Sequence, residues 1–336
     1  MGRVIKSILK IALVIILAAL MALGNGVLPG YARMVNVMLG YEQSWDNSKT
    51  DTTGLDLEYN KADYATDTIK DAEKALDEQL AAEGYVLLKN DGDTMPFASG
   101  TTFSFFGESS RSAFSSYDKL HAAFESEGFS VNQTLEDFYL KGAGKDYKLG
   151  SGSISYGDSE DFSINECPLS VVQSSDGVLD SAEGTVPVFV LKRVAGEGRD
   201  APRSMYNHAD NAVDQAKTYL EPDTTELETL QYLNDNFDDV VLVVNTSQAM
   251  ELDWLSQFPN IKSVIYMPSS GTYGVNSLAG IFSGRVNPSG RTVDTFAADT
   301  LASPAAQNFG DYQYTDASGN LTKYNYVSYE EGIYVG

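Results

Sequence analysis

VVLVVNTSQAMELDWLSQFPNIKSVIYMPSSGTYGVNSLAGIFS, residues 240–283, is the stretch that decides how this chain folds. Val240 to Asn245 and Ile261 to Met267 carry apolar residues on both faces, unbroken over Val240–Val244 and Val264–Met267, the pattern of strands covered on both faces. The spacing predicts a short helix between them, near Met250 to Leu255, and a second helix over about 274–283. Such strands alternating with helices predict a parallel sheet with helices on both sides.

The same reading extends upstream. VPVFVLKR, Val186 to Arg193, is a continuous apolar strand, and a helix from about Thr225 to Asn236 links it to the next one. TFSFFG, Thr102 to Gly107, is another strand, followed by an amphipathic helix over about 116–127. Earlier still, Ile69, Ala72, Ala75, Leu76, Leu80 and Ala81 fall at helical spacing, and Gly84 ends that helix. YVLLK, Tyr85 to Lys89, then reads as a buried strand closed by the turn Asn90-Asp91-Gly92. Gly142 to Ala182 is acidic, rich in Gly, Ser and Asp, and almost without period, so it reads as an inserted loop or subdomain. The residues after Ala298, rich in Tyr and Asn, read as a connecting segment. There is no internal repeat.

Charge divides the chain further. It carries 47 Asp+Glu against 23 Lys+Arg, a formal charge of -24, which repels phosphate backbones and argues against nucleic acid as a partner. No acid precedes Glu42, while Arg3, Lys6 and Lys10 precede the apolar run Ile11 to Leu23. Extended through Gly30, that run reaches the twenty or so residues that a bilayer core requires. The basic flank would stay in the cytoplasm and the acidic remainder outside. A core helix, or a signal peptide cut near Ala22-Leu23-Gly24, explains the same run. Residues 40–64, polar and aperiodic, read as a stalk. One cysteine, Cys167, excludes an internal disulfide, and two histidines, His121 and His208, leave little for a zinc site. No calcium loop is present, so the expectation is a protein without metal or cofactor.

Ligands of open parallel sheets bind at the carboxyl ends of strands. Three such ends stand out. The strand ending at Arg193 runs into VAGEGRDAPRSM, where Gly196 and Gly198 flank Glu197 and let the backbone present one carboxyl group. Asn245-Thr246-Ser247 follows the next strand, and Pro268-Ser269-Ser270-Gly271 the one after. Amides and hydroxyls there suit a polyhydroxylated ligand. By spacing alone a solvated turn is the simpler reading of each loop. GTYGVNS, Gly271 to Ser277, could set an anion at a helix start, but it holds no Lys or Arg, and a plain helix start is the simpler reading. His208 beside Asp210 is a weak catalytic pointer. No serine-hydrolase elbow and no phosphate loop occur.

AAEGYVLLKNDGDTMPF (Ala81 to Phe97), FDDVVLVVNTSQAMELDWL, NIKSVIYMPSSGTYGVNSLAGIFSGRVNPSGRTVDTFA and the closing YEEGIYVG resemble, in order, the C-terminal domain of glycoside hydrolase family 3, the β-glucosidase family. NPSGR, Asn287 to Arg291, is the most specific part. The resemblance covers about 71–336 and implies a six-stranded α/β sandwich. In that family the sandwich packs against a TIM-like barrel that supplies an aspartate nucleophile. The sandwich commonly supplies the acid/base glutamate from a Glu-Gly-x-Asp loop, which EGRD, Glu197 to Asp200, fits. This chain differs from many members in having Ala201 after that loop, and in lacking a glycine-rich stretch after Gly107. Some members carry the sandwich first and the barrel last.

The sequence therefore predicts an α/β fold, a three-layer sandwich with a mainly parallel sheet of about six strands, preceded by one N-terminal transmembrane helix. The boundaries are 1–30 for the anchor, 31–67 for the stalk, 68–298 for the sandwich and 299–336 for a segment leading toward a further domain. The resemblance implies a retaining, β-glucosidase-like hydrolase module that is inactive as an isolated chain, with Glu197 as acid/base and Asp200, Asn245 and Ser269 as substrate contacts. The expected partners are an oligosaccharide or glycoside, a TIM-like barrel in cis or in trans, and the membrane. The expected location is the cell membrane, single-pass with the domain outside, or secretion if the leader is cut. A non-catalytic, membrane-anchored module binding carbohydrate or protein is the alternative.

Overall fold

The computed structural model describes residues 2–26, 31–32, 34, 39, 51–54, 65–151, 161–195, 201–304, 306, 312–319 and 321–326. The chain divides into two compact units, Met1–Asp63 and Tyr64–Gly336. The first contains helix α1, Gly2–Gly26. Its residues at 5, 6 and 10–25 are exposed, apart from the half-buried Gly24. Among the described residues no helix is long and apolar enough to cross a membrane, so the structure gives the expected transmembrane helix no support. Most of the expected stalk lies outside the described residues.

The second unit begins with α2 (Thr66–Gly84), β1 (Val86–Asn90) and β2 (Thr102–Phe106). Helix α3 (Tyr117–Ser126), strand β3 (Ser130–Val131), and helices α4 (Gln133–Leu140) and α5 (Leu169–Gln173) follow. Then come β4 (Val186–Lys192), α6 (Ala212–Gln215), α7 (Thr224–Asn236), β5 (Val240–Asn245), β6 (Ile261–Tyr266) and α8 (Gly274–Ser283). Six strands form one sheet in the order β1-β6-β5-β4-β2-β3. All pairs are parallel except β1 with β6, which is antiparallel with an irregularity between Leu87 and Lys89.

The apolar runs explain this order. Every residue of β5 is buried, because β4 and β6 flank it and helices cover both faces. Alternate residues serve opposite faces. Phe103, Phe105, Val188, Val190, Val241, Val243 and Ile265 meet Leu120 and Phe124 of α3 and Leu278 and Phe282 of α8. Phe106, Phe189, Leu191, Leu242, Val244 and Val264 meet Leu135 of α4 and Leu230 and Leu233 of α7. On the first face the Phe103 ring packs edge-on against Phe124 and Phe282, with centroids 5.4 and 5.1 Å apart.

Local chemistry sets the helix starts. Asn132 caps α4 by accepting from the backbone of Thr134 and Leu135. Asp223 and Glu226 form a reciprocal capping box at the start of α7. Asp77 of α2 accepts from the backbone N–H groups of Thr272 (2.9 Å) and Tyr273 (2.6 Å), just before α8. Those donors are therefore taken by an internal carboxylate, and GTYGVNS starts a helix rather than holding an external anion.

Three features depart from the sequence reading. The strand expected at Tyr85–Lys89 is an edge strand, half-buried after Val86. Within the stretch 142–182, the described residues of its later part, 161–182, form no separate insert, because Cys167, Val172, Val178 and Ala182 join the second core face. Its helices are single turns, too short to show a period. After Ala298 a two-stranded antiparallel hairpin forms from β7 (Tyr312–Thr315) and β8 (Leu321–Tyr326).

NPSGR owes its specificity to backbone contact. Gly290 donates its N–H to the Tyr85 carbonyl at 3.1 Å. A Cβ there would lie 2.5 Å from that oxygen and 2.7 Å from the Gly84 oxygen, so only glycine allows the approach.

Candidate functional site

The parallel strands β2, β4, β5 and β6 all end at one edge, and their loops enclose a cleft of about 400 Å³. Ser112, Ala113 and Ser115 line it from the β2 loop. Lys192 to Ala195 come from the end of β4, Asn245 to Ser247 from β5, and Pro268 to Gly271 from β6. The cleft thus unites two of the expected contacts, Asn245 and Ser269. The other two, Glu197 and Asp200, lie outside the described residues.

Each wall is held from behind. At the end of β4 the Arg193 guanidinium is fully buried and makes a two-pronged ion pair with Glu226, Nη1 to Oε1 at 2.8 Å and Nη2 to Oε2 at 2.7 Å. Its remaining donors reach the carbonyls of Tyr219 (2.8 Å), Lys192 (2.8 Å) and Glu221 (2.7 Å). The Val194 N–H donates to the Tyr219 hydroxyl at 2.8 Å. The chain is therefore clamped immediately before residues 196–200. Sequence reading passed over this clamp, although a basic pair closing an apolar strand was a visible signal.

The β2 wall rests on buried carboxyl groups. Gly107, at φ +95, brings the backbone so near β4 that a Cβ would meet the Val190 carbonyl at 3.0 Å. The next N–H, of Glu108, donates to both Glu166 oxygens, at 2.9 and 3.1 Å. Burial pushes the Glu166 carboxyl well above the usual carboxylate range, and the Glu108 charge adds to the rise. Arg111 then ties Glu108 to the backbone carbonyls of Tyr139, Lys145 and Tyr147. These acids brace the turn before Ser112 and do not line the cleft.

Asn245 is buried, and its amide donates to the Met267 carbonyl at 2.8 Å, which joins the ends of β5 and β6. Ser269 is exposed, with its hydroxyl 3.3 Å from the Gly271 N–H. Lys192 is the cation that sequence reading missed. Its ammonium donates to Ser112, to Oγ at 3.1 Å and to the carbonyl at 3.4 Å. Loss of water lowers its pKa, against the opposing pull of Glu108. His208 accepts from the Phe162 N–H at 3.4 Å and packs edge-on against that ring, a structural placement. Among the described residues no group of three His, Cys, Asp or Glu could hold a metal ion. The arrangement suits a neutral or anionic polar ligand that accepts and donates several hydrogen bonds.

Comparison with known proteins places this geometry. A family model for the glycosyl hydrolase family 3 C-terminal domain matches residues 85–336. Beta-glucosidase A of Butyrivibrio fibrisolvens is 25% identical over 281 residues, covering 77% of this chain and 31% of that protein. Thermostable beta-glucosidase B of Acetivibrio thermocellus is 25% identical over 275 residues, covering 80% of this chain and 30% of its own length. The chain thus spans about a third of the length of these curated relatives. Among solved structures, a beta-glucosidase from Paenibacillus barengoltzii aligns with a TM-score of 0.56 at 23% identity, over 71% of this chain and 26% of that one. Beta-glucosidase 3B of Thermotoga neapolitana, in complex with α-D-glucose, aligns with a TM-score of 0.53 at 20% identity, over 74% of this chain and 34% of that one. These two alignments establish a shared fold.

Proposed function

The chain belongs to glycosyl hydrolase family 3, whose C-terminal domain it carries, and from that premise we propose that it is one half of a retaining, β-glucosidase-like active site. The observation that supports this most is the cleft at the sheet's carboxyl edge, which opens where the clamped end of β4 leads into residues 196–200. Glu197 is the assigned acid/base. It protonates the leaving glycosidic oxygen and then takes a proton from the water that releases the sugar. Retention needs a second carboxylate about 5–5.5 Å away as nucleophile, and that group comes from a TIM-like barrel, in cis or in trans. Asp200, Asn245 and Ser269 are assigned to substrate contacts. Asn245 has the further task of joining two loops.

The experiment is Glu197→Ala in a protein with the barrel restored. An acid matters most for a poor leaving group, so glycosylation should slow by several orders of magnitude on a disaccharide and far less on dinitrophenyl glucoside. Azide should then rescue turnover and yield a β-glycosyl azide. Equal slowing on both substrates without rescue would remove Glu197 from the acid/base role and leave a binding module as the better reading.

The N-terminal segment is assigned to membrane anchoring, with the acidic unit outside. The support is the sequence alone, three basic residues before an apolar run that no acid precedes.

A further inference from the structure

Two large cores cover the faces of the sheet, and a third, smaller one is built without any strand residue. Phe162, Ile164, Met205 and Tyr219 are buried together, with Leu149, Ala201, Ala209 and Leu220 packed against them. None of these residues lies in a helix or a strand. A core assembled from connecting segments alone serves to fix those segments, which are otherwise the least ordered part of a fold. Leu220 also packs against the second sheet face, so the small core is joined to the sheet.

The segments it fixes lie on either side of residues 196–200. Upstream, β4 has ended at Lys192, and the Val194 N–H donates to the Tyr219 hydroxyl at 2.8 Å. The Tyr219 ring is held in turn, edge-on to Phe162 with centroids 5.5 Å apart, and Phe162 is edge-on to His208 at 5.4 Å. Its carbonyl accepts from Arg193 Nε at 2.8 Å. Tyr219 has no exposure, and an aromatic ring with few torsions loses little freedom on burial, so its hydroxyl is a fixed point. Downstream, the chain is described again from Ala201, the position at which it differs from many family members, and Ala201 packs on the same core. Met205 continues the anchorage. Its N–H donates to the Lys217 carbonyl at 3.0 Å, and its carbonyl accepts from the N–H groups of His208 and Ala209 at 2.9 and 3.0 Å. We propose that Tyr219 is the positioning residue of this loop: its hydroxyl fixes where the loop leaves β4, and the core around its ring fixes where the loop returns. The proposal rests on the glycoside reading above, in which the loop carries Glu197. A general acid displaced by about 1 Å loses on the order of a hundredfold in rate, so a tether just before it affects the chemistry without touching the substrate.

The test is Tyr219→Phe, which removes one hydroxyl and keeps the ring. In the intact chain, hydrogen exchange of the Val194 amide, followed by NMR, should quicken about tenfold, the effect of one lost hydrogen bond. Trypsin cleavage after Arg199 should quicken by a similar factor. Tyr139→Phe is the matched control, because the Tyr139 hydroxyl likewise accepts a backbone N–H, that of Gly107 at 3.0 Å on the β2 wall. It should leave both rates within about twofold of the native chain. With the barrel restored, Tyr219→Phe should lower kcat/KM by about tenfold or more on a disaccharide and by less than about threefold on dinitrophenyl glucoside, because only the disaccharide needs a placed acid. Should Tyr219→Phe melt more than about 5 °C below the native chain, Phe162→Leu, which keeps the hydroxyl and loosens the ring, takes its place with the same pattern expected. Unchanged exchange at Val194, or cleavage after Arg199 quickened equally by Tyr139→Phe, would overturn the tether. Equal slowing on both substrates, or none on either, in a protein where Glu197→Ala is rescued by azide would overturn the positioning role alone. If Glu197→Ala shows no acid/base behaviour, the glycosidase reading falls, and exchange and cleavage still decide whether Tyr219 holds the loop.

Discussion

Removing the charge of Glu226 tests the clamp behind the cleft. In Glu226→Gln the shape of the side chain is kept, but Arg193, with no side-chain exposure, is left as a buried cation without its counter-charge. Arginine does not shed its proton to escape that penalty. Breaking a buried pair by altering one partner costs about 3–5 kcal/mol. For a unit of this size that corresponds to a fall in Tm of about 10 °C. Arg193→Met should cost at least as much, because the carbonyls of Lys192, Tyr219 and Glu221 lose their donor as well. The double variant Arg193→Met/Glu226→Gln removes both charges, so it should be less destabilised than the sum of the singles by about 2–3 kcal/mol. Urea unfolding followed by circular dichroism measures all three, with midpoints compared at constant slope. Single variants within about 1 kcal/mol of the native chain, or strict additivity in the double, would refute the argument that this pair clamps the end of β4.

Three further outcomes are expected. Burial and the neighbouring Glu226 push the Asp223 carboxyl up from 3.8 to about 7. A raised acid stabilises the fold below its unfolded value and loses that contribution as pH rises through about 7, so stability should decline across this window. Asp223→Asn keeps the helix cap and should flatten the decline, gaining about 2 kcal/mol at pH 8 and little at pH 4 in urea titrations. Gly290→Ala should lower stability by about 1–3 kcal/mol through its clash with the Tyr85 and Gly84 carbonyls, whereas Val293→Ala, at a position 98% exposed, should stay within about 0.5 kcal/mol. If residues 1–30 anchor the chain, it should remain in the membrane pellet after carbonate extraction, and a mature N-terminus near Asn25 in the medium would show cleavage instead.

Much of the fold was legible because its causes are local. A run such as Val240 to Asn245 has no polar face to turn to water, so it demands neighbours on both sides wherever it sits. The helix over 274–283 carries its period within its own residues. The two-residue β3 and the single-turn helices of 143–182 were not legible, since neither is long enough to express a period.

The candidate site divides in the same way. Asn245 and Ser269 were found because each follows a recognisable strand, and the parallel order then brings strand ends to one edge. Glu197 and Asp200 stood out through their glycines and the family loop they fit, features of the sequence alone. Arg193 and Glu226, 33 residues apart, meet only because α7 returns across the sheet beside β4. Asp77 reaches backbone donors 195 residues away because α2 lies along the start of α8. Periodicity and composition are properties of neighbours in the chain, so the sequence determined the long elements and the burial of the central strands. Which charges face one another depends on where crossovers deliver distant segments, and that was decided only by the tertiary structure.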